Sequence, residues 1–465
     1  NITVYLDASL SKLNILLSKT RSSIEEYKKL KQAVITQAVT KGVRSEREMK
    51  DSGVEWIGVI PSHWKVSKIK QVIRWKSVKG QPDLPVLSLY RDYGIIPKDS
   101  RDDNHNVTSL DTSSYKVVEC GDLVINKMKA WQGSLAVSEY NGIVSPAYHI
   151  CQITSKNICK KYLHYLLRDA SYLPEYMRLS TGLRVGQWDL SFDDFKNIPF
   201  LLPPLAEQER IAAFLDAECA EIDAVLEKTR ASIEEYKKLK QAVITQAVTK
   251  GVRGDRPMKD SGIEWIGDIP AEWDVIRVKQ LLKERNERSK EGKEEPLSMS
   301  QKVGLVPTKF LESIPNMASS FVGAKLAYVD DLVFNKLKAH LGVFSVSRYD
   351  GLVSPDYAVY CSTGKSNLKY LEYIFKTPQC IGEFRKKSTG IAAGLMRLYT
   401  EGLFSIYLPY PALSEQEEIA EYLNEKCAGI DALIVKKQQY LTEIENYKKS
   451  LIYEYVTGKK EVLPL

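Results

Sequence analysis

The chain has 465 residues, of which 44% are hydrophobic and 27% charged, which favours a folded protein with more than one core and excludes wholesale disorder. Its net charge of +7 is compatible with a nucleic-acid partner. No apolar run reaches the roughly 18 residues that a membrane helix needs, and seven dispersed cysteines without a CxxC pair predict a reducing, cytoplasmic location.

The first predicted element covers residues 1–48. The string SIEEYKKLKQAVITQAVTKGVR occupies residues 23–44 and recurs letter for letter at 232–253, 209 positions later. Because the second copy lies within a longer helical pattern, 1–48 is expected to be an extra, partial copy of that helix. It is expected either to join a three-helix bundle or to pair with another chain, which would make it a site of self-association.

The next element, residues 49–202, has a counterpart in residues 258–408. The motifs MKDSGVEWIG, NKMKAWQG and GIVSPAY return as MKDSGIEWIG, NKLKAHLG and GLVSPDY, again 209 positions later. Both segments contain short β-branched and aromatic runs separated by Gly, Pro, Asn and Asp, with brief helical stretches between them. A repeat this long exceeds the period of solenoids, so we predict two duplicated α+β domains of about 150 residues each.

Each of these domains is followed by a predicted long helix, at 203–257 and 409–465. Apolar residues in both segments recur in alternating steps of four and three, which is the heptad pattern of a helix that packs against another helix. Lys240 and Lys448 interrupt the two patterns at equivalent positions. Prolines before each pattern and glycines near its end are typical of helix boundaries.

An apolar stripe of this kind is buried only against a matching helix, and each long helix supplies one for the other. The connectivity favours antiparallel pairing. The predicted fold class is therefore α+β, with two globular domains joined by long helices in an antiparallel coiled coil and related by an internal pseudo-two-fold axis. Because the backbone of duplex DNA has such axes too, each domain could contact a separate short half-site while the helices fix the gap.

The repeated motifs resemble the specificity subunit of type I restriction-modification systems. MKDSGVEWIGVIPSHW, NKMKAWQG, GIVSPAY, STG and LPPLAEQERIAAFLD occur in the order typical of that family, and the resemblance extends from about Met49 to Lys460. It implies that 49–202 and 258–408 are target-recognition domains, each reading one part of a split sequence in double-stranded DNA. It further implies that the helices dock two methyltransferase subunits, which restriction and translocase subunits join.

The resemblance also implies a subunit that is not itself an enzyme. The chain has no NPPY-like methyltransferase motif, no complete phosphate-binding Walker motif and no HExxH zinc motif. Its five histidines are scattered, and His149 and His164 lie in apolar surroundings that are typical of structural residues. We therefore expect no catalytic residues, no metal and no other cofactor.

The first candidate DNA contact is the loop after the strand-like run DLVIN. Two lysines beside amide side chains suit contacts with phosphates and with a base edge. The alternative is a solvated turn in which Trp131 is simply packed. The candidates are Asn126, Lys127, Lys129 and Gln132 and, in the counterpart loop, Asn335, Lys336 and Lys338.

The second candidate is the pair of segments STGLRVGQWD and STGIAAGLMR. Arginine can bind guanine and glutamine can bind adenine, each through two hydrogen bonds. The shared STG is expected to contact the DNA backbone and the divergent part to read different bases, and the alternative is a flexible turn between two elements. The candidates are Ser180, Thr181, Arg184 and Gln187 and, in the second segment, Ser388, Thr389 and Arg397.

The helical string of residues 23–44 recurs unchanged at 232–253, whereas the α+β domains differ widely between their two copies. This contrast predicts a common protein partner for the helices and different DNA sequences for the domains. Trp56 and Trp265, in the two EWIG turns, are candidate partner-binding residues because aromatic anchors often dominate interfaces. The same side chains could instead hold each domain against its helix.

Two other functions fit the sequence. A stand-alone sequence-specific DNA-binding protein shares every feature except the need for a surface that docks a methyltransferase. A coiled-coil scaffold, which belongs to a different class of protein, would have no affinity for DNA.

Overall fold

The fold is taken from a computed structural model, which describes residues 48–462 apart from 92, 101–107, 110, 183–187, 302, 312–320 and 391–395. The predicted extra helix at 1–48 therefore lies, except for its last residue, outside the described residues. Contacts divide the described chain into two units. The first unit comprises residues 48–230 and 439–462, and the second comprises residues 231–438.

The first unit is built from short strands and short helices, followed by the first part of a long helix. The strands are β1 (Met49–Asp51), β2 (Val59–Pro61), β3 (Lys65–Lys68), β4 (Ile73–Lys76), β5 (Leu87–Tyr90), β6 (Gly94–Pro97), β7 (Lys116–Val118), β8 (Leu123–Asn126), β9 (Leu135–Val137), β10 (Gly142–Val144), β11 (Tyr148–Ile153), β12 (Ser180–Thr181), β13 (Asp189–Leu190) and β14 (Pro199–Leu202). The helices are α1 (Lys160–Arg168), α2 (Leu173–Leu179), α3 (Phe192–Phe195) and the long helix α4 (Leu205–Lys250).

A four-stranded antiparallel sheet in the order β4-β11-β8-β9 is the largest sheet of the first unit's described residues. Leu123 and Ile125 of β8 belong to the main core together with Trp64, whereas Val124 belongs to a smaller cluster on the other face. Both faces of β8 are thus buried, which explains why its sequence is continuously apolar rather than alternating.

The second unit repeats this arrangement after the end of α4. Its strands are β15 (Met258–Asp260), β16 (Asp268–Pro270), β17 (Asp274–Arg277), β18 (Leu282–Arg285), β19 (Leu297–Ser300), β20 (Gly304–Pro307), β21 (Lys325–Ala327), β22 (Leu332–Asn335), β23 (Phe344–Val346), β24 (Gly351–Val353), β25 (Tyr357–Ser362) and β26 (Tyr407–Tyr410). Its helices are α5 (Val278–Leu281), α6 (Leu368–Phe375), α7 (Pro378–Lys387), α8 (Thr400–Phe404) and the first part of the long helix α9 (Leu413–Val456).

The main sheets of the two units have the same topology. In the second unit the order is β18-β25-β22-β23, and each of these strands begins 209 positions after its counterpart in the first unit. The register is also preserved, because Asn126 lies opposite Tyr148 and Asn335 lies opposite Tyr357. The fold is therefore mixed α and β, as predicted, and the sequence repeat is a repeat of structure.

Both long helices begin and end where the sequence predicts boundaries. Pro204 directly precedes α4, and Pro411 lies two residues before α9. Gly251 follows α4 with a φ of 78°, which suits the left-handed conformation common at helix C-termini. The two helices contain 46 and 44 residues.

In each unit, a part of α4 packs against a part of α9. In the first unit the rings of Phe214 and Tyr455 have centroids 4.5 Å apart, and further along α4 Arg230 contacts Glu445 at 2.9 Å. Residue numbers rise along one helix as they fall along the other, so the two segments run antiparallel. In the second unit, Lys437 lies over the ring of Tyr236, 5.7 Å from its centroid.

The lysines that interrupt the apolar heptads have a specific role in this packing. The Lys240 ammonium donates to both carboxylate oxygens of Asp431, at 2.8 and 2.6 Å, within the second unit. Within the first unit, the Lys448 ammonium donates to both oxygens of Asp223 at 2.6 Å. Each unit therefore has one equivalent ion pair, and each pair satisfies a charge beside an otherwise apolar stripe.

Each helix pair is connected to its α+β part by a buried carboxylate near the start of a long helix. In the first unit Trp64 Nε1 donates to Glu207 at 3.1 Å, and in the second unit Trp273 Nε1 donates to Glu415 at 3.0 Å. Both indole rings are almost completely buried. A buried indole N–H needs an acceptor, and the first turn of a helix favours a negative charge.

Candidate nucleic-acid interface

The first candidate loop is a tight turn that follows the buried strand β8. Asn126 Oδ1 accepts from the backbone N–H of Met128 at 3.2 Å, and the carbonyl of Asn126 accepts from the N–H of Lys129 at 3.0 Å. A single 3-10 turn, Ala130–Gln132, follows and ends at Gly133, whose φ is 81°. A Cβ at this glycine would lie 2.8 Å from a methyl carbon of Leu173.

The counterpart loop in the second unit has the same geometry. Asn335 Oδ1 accepts from the N–H of Leu337 at 3.1 Å, and the carbonyl of Asn335 accepts from the N–H of Lys338 at 3.0 Å. The sequence predicted these asparagines as DNA contacts, and the structure gives their oxygens a local role in shaping the turn. Direct contact with DNA by either asparagine stays a prediction.

The exposed positions of these loops are the lysines and the glutamine. Lys129, Gln132 and Lys338 are exposed, whereas Lys127 and Lys336 are half-buried. Trp131 is also half-buried, and its indole N–H donates to the carbonyl of Met128 at 3.1 Å. The ammonium groups of the exposed lysines are accessible to phosphates, so DNA contact by these lysines stays a prediction. The packing of Trp131 agrees with the alternative interpretation of this loop, a turn in which the tryptophan is simply packed.

The two serines of the STG segments end helices. The hydroxyl of Ser180 donates to the carbonyl of Tyr176 at 2.7 Å, and the hydroxyl of Ser388 donates to the carbonyl of Phe384 at 2.6 Å. Ser180 is buried. These hydroxyls satisfy carbonyls in the last turns of α2 and α7, which is a structural role that the sequence analysis did not anticipate; DNA contact by them stays a prediction.

The neighbouring threonines point to solvent. Thr181 and Thr389 are both exposed, and Thr389 exchanges two backbone hydrogen bonds with Arg397, at 2.9 and 2.8 Å. Arg184 and Gln187, the predicted base-reading residues of the first segment, lie outside the described residues.

The structure brings the two candidate segments of the first unit together. The N–H of Leu190 donates to the carbonyl of Lys127 at 2.9 Å, and the Lys127 ammonium contacts Asp189 at 2.7 Å. The rings of Trp131 and Trp188 meet edge to face, with centroids 5.4 Å apart. Sequence analysis singled out the two segments separately, and the contact between them follows only from the fold.

The second unit makes the equivalent junction. The N–H of Leu398 donates to the carbonyl of Lys336 at 3.0 Å, and the guanidinium of Arg397 contacts Asp356 at 3.3 Å. Each unit thus has what we call a loop–hairpin surface. In the first unit it comprises residues 126–132, 177–182 and 188–190, and in the second unit it comprises residues 335–341, 385–390 and 396–398.

A buried lysine lies beneath this surface in the first unit. The Lys116 ammonium donates to the carbonyl of Tyr148 at 2.5 Å. Burial lowers its pKa, and the nearby positive charges of Lys79 and Lys127 lower it further.

The histidines near this sheet have structural contacts. One ring nitrogen of His149 lies 3.2 Å from the carbonyl of Leu190, and burial lowers the pKa of this imidazole. His164 Nδ1 accepts from the N–H of Val137 at 3.2 Å, and burial lowers its pKa to about 3. Both rings are therefore neutral near pH 7. Within the described ranges, no three His, Cys, Asp or Glu residues cluster in a way that could hold a metal ion.

Both candidate partner-binding tryptophans pack against their own domain. Trp56 is half-buried, and its ring meets that of Tyr172 edge to face with centroids 4.8 Å apart. Trp265 is half-buried against the core of the second unit. This packing agrees with the alternative that the tryptophans hold each domain against its helix, and partner binding by either tryptophan stays a prediction.

No helix in the described part of the chain is both long and apolar enough to cross a membrane.

Comparison with known proteins gives one consistent family. A family model described as "Type I restriction modification DNA specificity domain" matches residues 61–235. The chain is 25% identical over 428 residues to the type I restriction enzyme MjaVIII specificity subunit of Methanocaldococcus jannaschii, across 87% of this chain and 94% of that protein. It is 22% identical over 431 residues to the type I restriction enzyme EcoDI specificity subunit of Escherichia coli, across 86% of this chain and 90% of that protein.

A solved structure shares the fold. It comes from work on complex assembly and conformational transition of the type I R-M system, and its TM-score is 0.63 at 14% identity, with 86% of this chain and 99% of that chain covered. The motif order, the family match and the related sequences agree with one another. The resemblance predicted from the repeated motifs is therefore confirmed: the chain is similar, over most of its length, to specificity subunits of type I restriction enzymes.

Proposed function

We propose that this chain is the non-catalytic DNA-recognition subunit of a type I restriction-modification complex and that it reads a split target in double-stranded DNA. The observation that carries the proposal is the loop–hairpin surface, which occurs once in each unit. The backbone hydrogen bonds of the surface are the same in both units, whereas the hairpin side chains differ. Two copies of one framework with different side chains suit the recognition of two different half-sites.

The chemistry of these surfaces suits DNA. Exposed Lys129 and Lys338 extend from rigid turns, where they can contact phosphates that fix the position of the protein on the duplex. Gln132 and Arg397 offer amide and guanidinium groups, the side chains that most often read adenine and guanine. Because the turns are held by buried strands, their backbone loses little conformational entropy on binding.

We further propose that α4 and α9 form an antiparallel coiled coil that spaces two target-recognition domains, at 49–202 and 258–408. The antiparallel contacts within each unit and the matched pairs Lys240–Asp431 and Lys448–Asp223 support this arrangement. The two helices are copies of one repeat with equivalent ion pairs, which suits two identical methyltransferase subunits, through which restriction subunits would join. Trp56 and Trp265 remain candidate contacts for those partners.

The proposal is tested by co-expression with a methyltransferase subunit from the same host, followed by base-resolution mapping of methylated DNA. The expected result is one motif with two specific halves and a fixed spacer. A duplex carrying that motif should bind the purified complex at least about 10³-fold more tightly than a scrambled duplex at the same salt concentration.

Two outcomes would support the other functions instead. Equal binding to both duplexes would favour a coiled-coil scaffold. Specific binding by a chain that never co-purifies with a methyltransferase would favour a stand-alone DNA-binding protein.

A further inference from the structure

The two loop–hairpin surfaces differ strongly in charge. In the first unit the surface contains three cationic residues and one carboxylate, and in the second it contains six cationic residues and no carboxylate. The first unit's charged residues are Lys127, Lys129, Arg178 and Asp189. The second unit's are Lys336, Lys338, Arg385, Lys386, Lys387 and Arg397.

Ion pairs increase this difference. In the first unit, Arg178 makes two short contacts with Glu175, at 2.8 and 2.7 Å, and the carboxylate of Glu175 is only 11% exposed. Lys127 is paired with Asp189 at 2.7 Å. Of the described cations on this surface, only Lys129 has no carboxylate in contact.

The second unit leaves more of its positive charge uncompensated. Lys386 pairs with Glu383 at 2.7 Å, and Arg397 pairs with Asp356 at 3.3 Å. Four cations of this surface make no ion pair with any described carboxylate. They are Lys336, whose ammonium donates to the carbonyl of Pro355 at 3.1 Å, Arg385, which donates to the carbonyl of His340, and the exposed Lys338 and Lys387.

One pair of equivalent positions shows how the difference arises. Asp189 and Arg397 both directly precede the leucine whose N–H binds the lysine carbonyl of the loop. The charge at this position is therefore reversed between the units. The carboxylate that compensates Arg397 is Asp356, and the equivalent position in the first unit is the uncharged Ala147.

The aromatic content changes in the opposite sense. The first unit has Trp131 and Trp188 in contact, whereas the equivalent residues of the second unit are His340 and Met396. The first surface therefore offers apolar and amide groups that suit base edges and sugars. The second offers point charges that suit phosphates.

Resting on the proposed function, we infer that the second unit supplies most of the contacts to DNA phosphates, while Asp189 and Glu175 restrain the contribution of the first unit. The ligand of the second surface is the DNA backbone, irrespective of sequence. Non-specific affinity and its dependence on salt are then mainly properties of residues 335–341 and 385–390. The first unit contributes mainly to discrimination between sequences.

The test compares two triple variants of the full chain that remove the same number of positive charges. One carries Lys336→Gln, Lys338→Gln and Lys387→Gln, and the other carries Lys127→Gln, Lys129→Gln and Arg178→Gln. Binding to a random-sequence duplex is measured at several salt concentrations. The slope of log K against log salt is negative, and each lost phosphate contact reduces its magnitude by about 0.9.

The second-unit variant should lose about 2.7 from this slope and the first-unit variant about 0.9. A control is Lys156→Gln with Lys365→Gln, which removes two positive charges at exposed lysines beyond the far ends of β11 and β25 and should leave the slope unchanged. Each variant is first checked for a wild-type thermal transition. As a second arm, the isosteric Asp189→Asn frees Lys127 and should increase the magnitude of the slope by about 0.9.

Equal losses for the two triple variants, or no gain for Asp189→Asn, would overturn the inference while leaving DNA recognition intact. A wild-type chain without measurable affinity for any duplex at low salt would overturn the proposed function as well. The two failures are therefore distinguishable in one set of titrations.

Discussion

The buried carboxylate Glu415 offers a quantitative test of what holds the second unit together. Its side chain is 3% exposed, accepts from Trp273 Nε1 at 3.0 Å and contacts the guanidinium of Arg256 at 2.6 Å. Arg256 is itself only 10% exposed and lies over the Trp273 ring, 5.2 Å from its centroid. Glu415→Ala would leave a nearly buried cation and a buried indole N–H without this acceptor.

Removing one partner of a buried ion pair costs about 3–5 kcal/mol, because the remaining charge stays desolvated. The lower end applies here, since Glu272 remains 2.8 Å from the Arg256 guanidinium.

Hydrogen exchange of backbone amides measures the free energy of opening separately for each unit. Glu415→Ala should lower the free energy of opening by about 3 kcal/mol for peptides that cover β16 and β17, and should change it little for peptides that cover β2 and β3. Adding Arg256→Met should restore part of the loss, because no unpaired charge then stays buried. The reasoning would be refuted by a loss below about 1 kcal/mol, or by a double variant that is no more stable than Glu415→Ala alone.

Three further predictions follow from the packing. Burial holds the pKa of His164 at about 3, so as the pH falls below about 6.5 the unfolded chain takes up a proton that the folded chain does not. The free energy of unfolding of the first unit should therefore fall by up to about 2 kcal/mol between pH 6.5 and pH 5. His164→Asn keeps an acceptor for the N–H of Val137 and should make the free energy of unfolding, measured with urea, depend less on pH. Parallel pH profiles for the variant and the wild type would contradict this prediction. Lys240→Asp should destabilise the helix pair by roughly 1 kcal/mol, and Asp431→Lys in the same chain should restore it, as thermal denaturation can show. Inserting seven residues in both α4 and α9 should lengthen the spacer in the methylated motif, and an unchanged spacer would exclude a spacing role for the helices.

The repeat in the sequence made most of the fold predictable. Strands β8 and β22 fall on the two copies of the DLV motif, and the long helices have nearly the length that the heptad pattern indicates. Such features depend on local composition and periodicity, which act over a few turns or residues. The lysines within the heptads were noticed as interruptions, but their partners Asp223 and Asp431 are known only from the packed helices.

The candidate site was less predictable, because its parts meet through tertiary contacts. The contact between Lys127 and Asp189 joins residues 62 positions apart, and no local pattern encodes it. The role of Ser180 in ending α2 was also missed, although serine often binds backbone carbonyls one helical turn earlier. The reversal from Asp189 to Arg397 is visible in the aligned repeats, and it became informative once the structure showed what each residue contacts.

The assignment of each long helix to both units has a consequence for synthesis on the ribosome. The core of the first unit includes Ile444, Leu451 and Val456, and the hydroxyl of Tyr162 donates to the carbonyl of Val456 at 3.3 Å. These residues emerge more than 200 positions after the strands they cover. The first unit to be translated is thus the last to be completed, whereas the described residues of the second are contiguous from 231 to 438 and can pack together as soon as they have emerged.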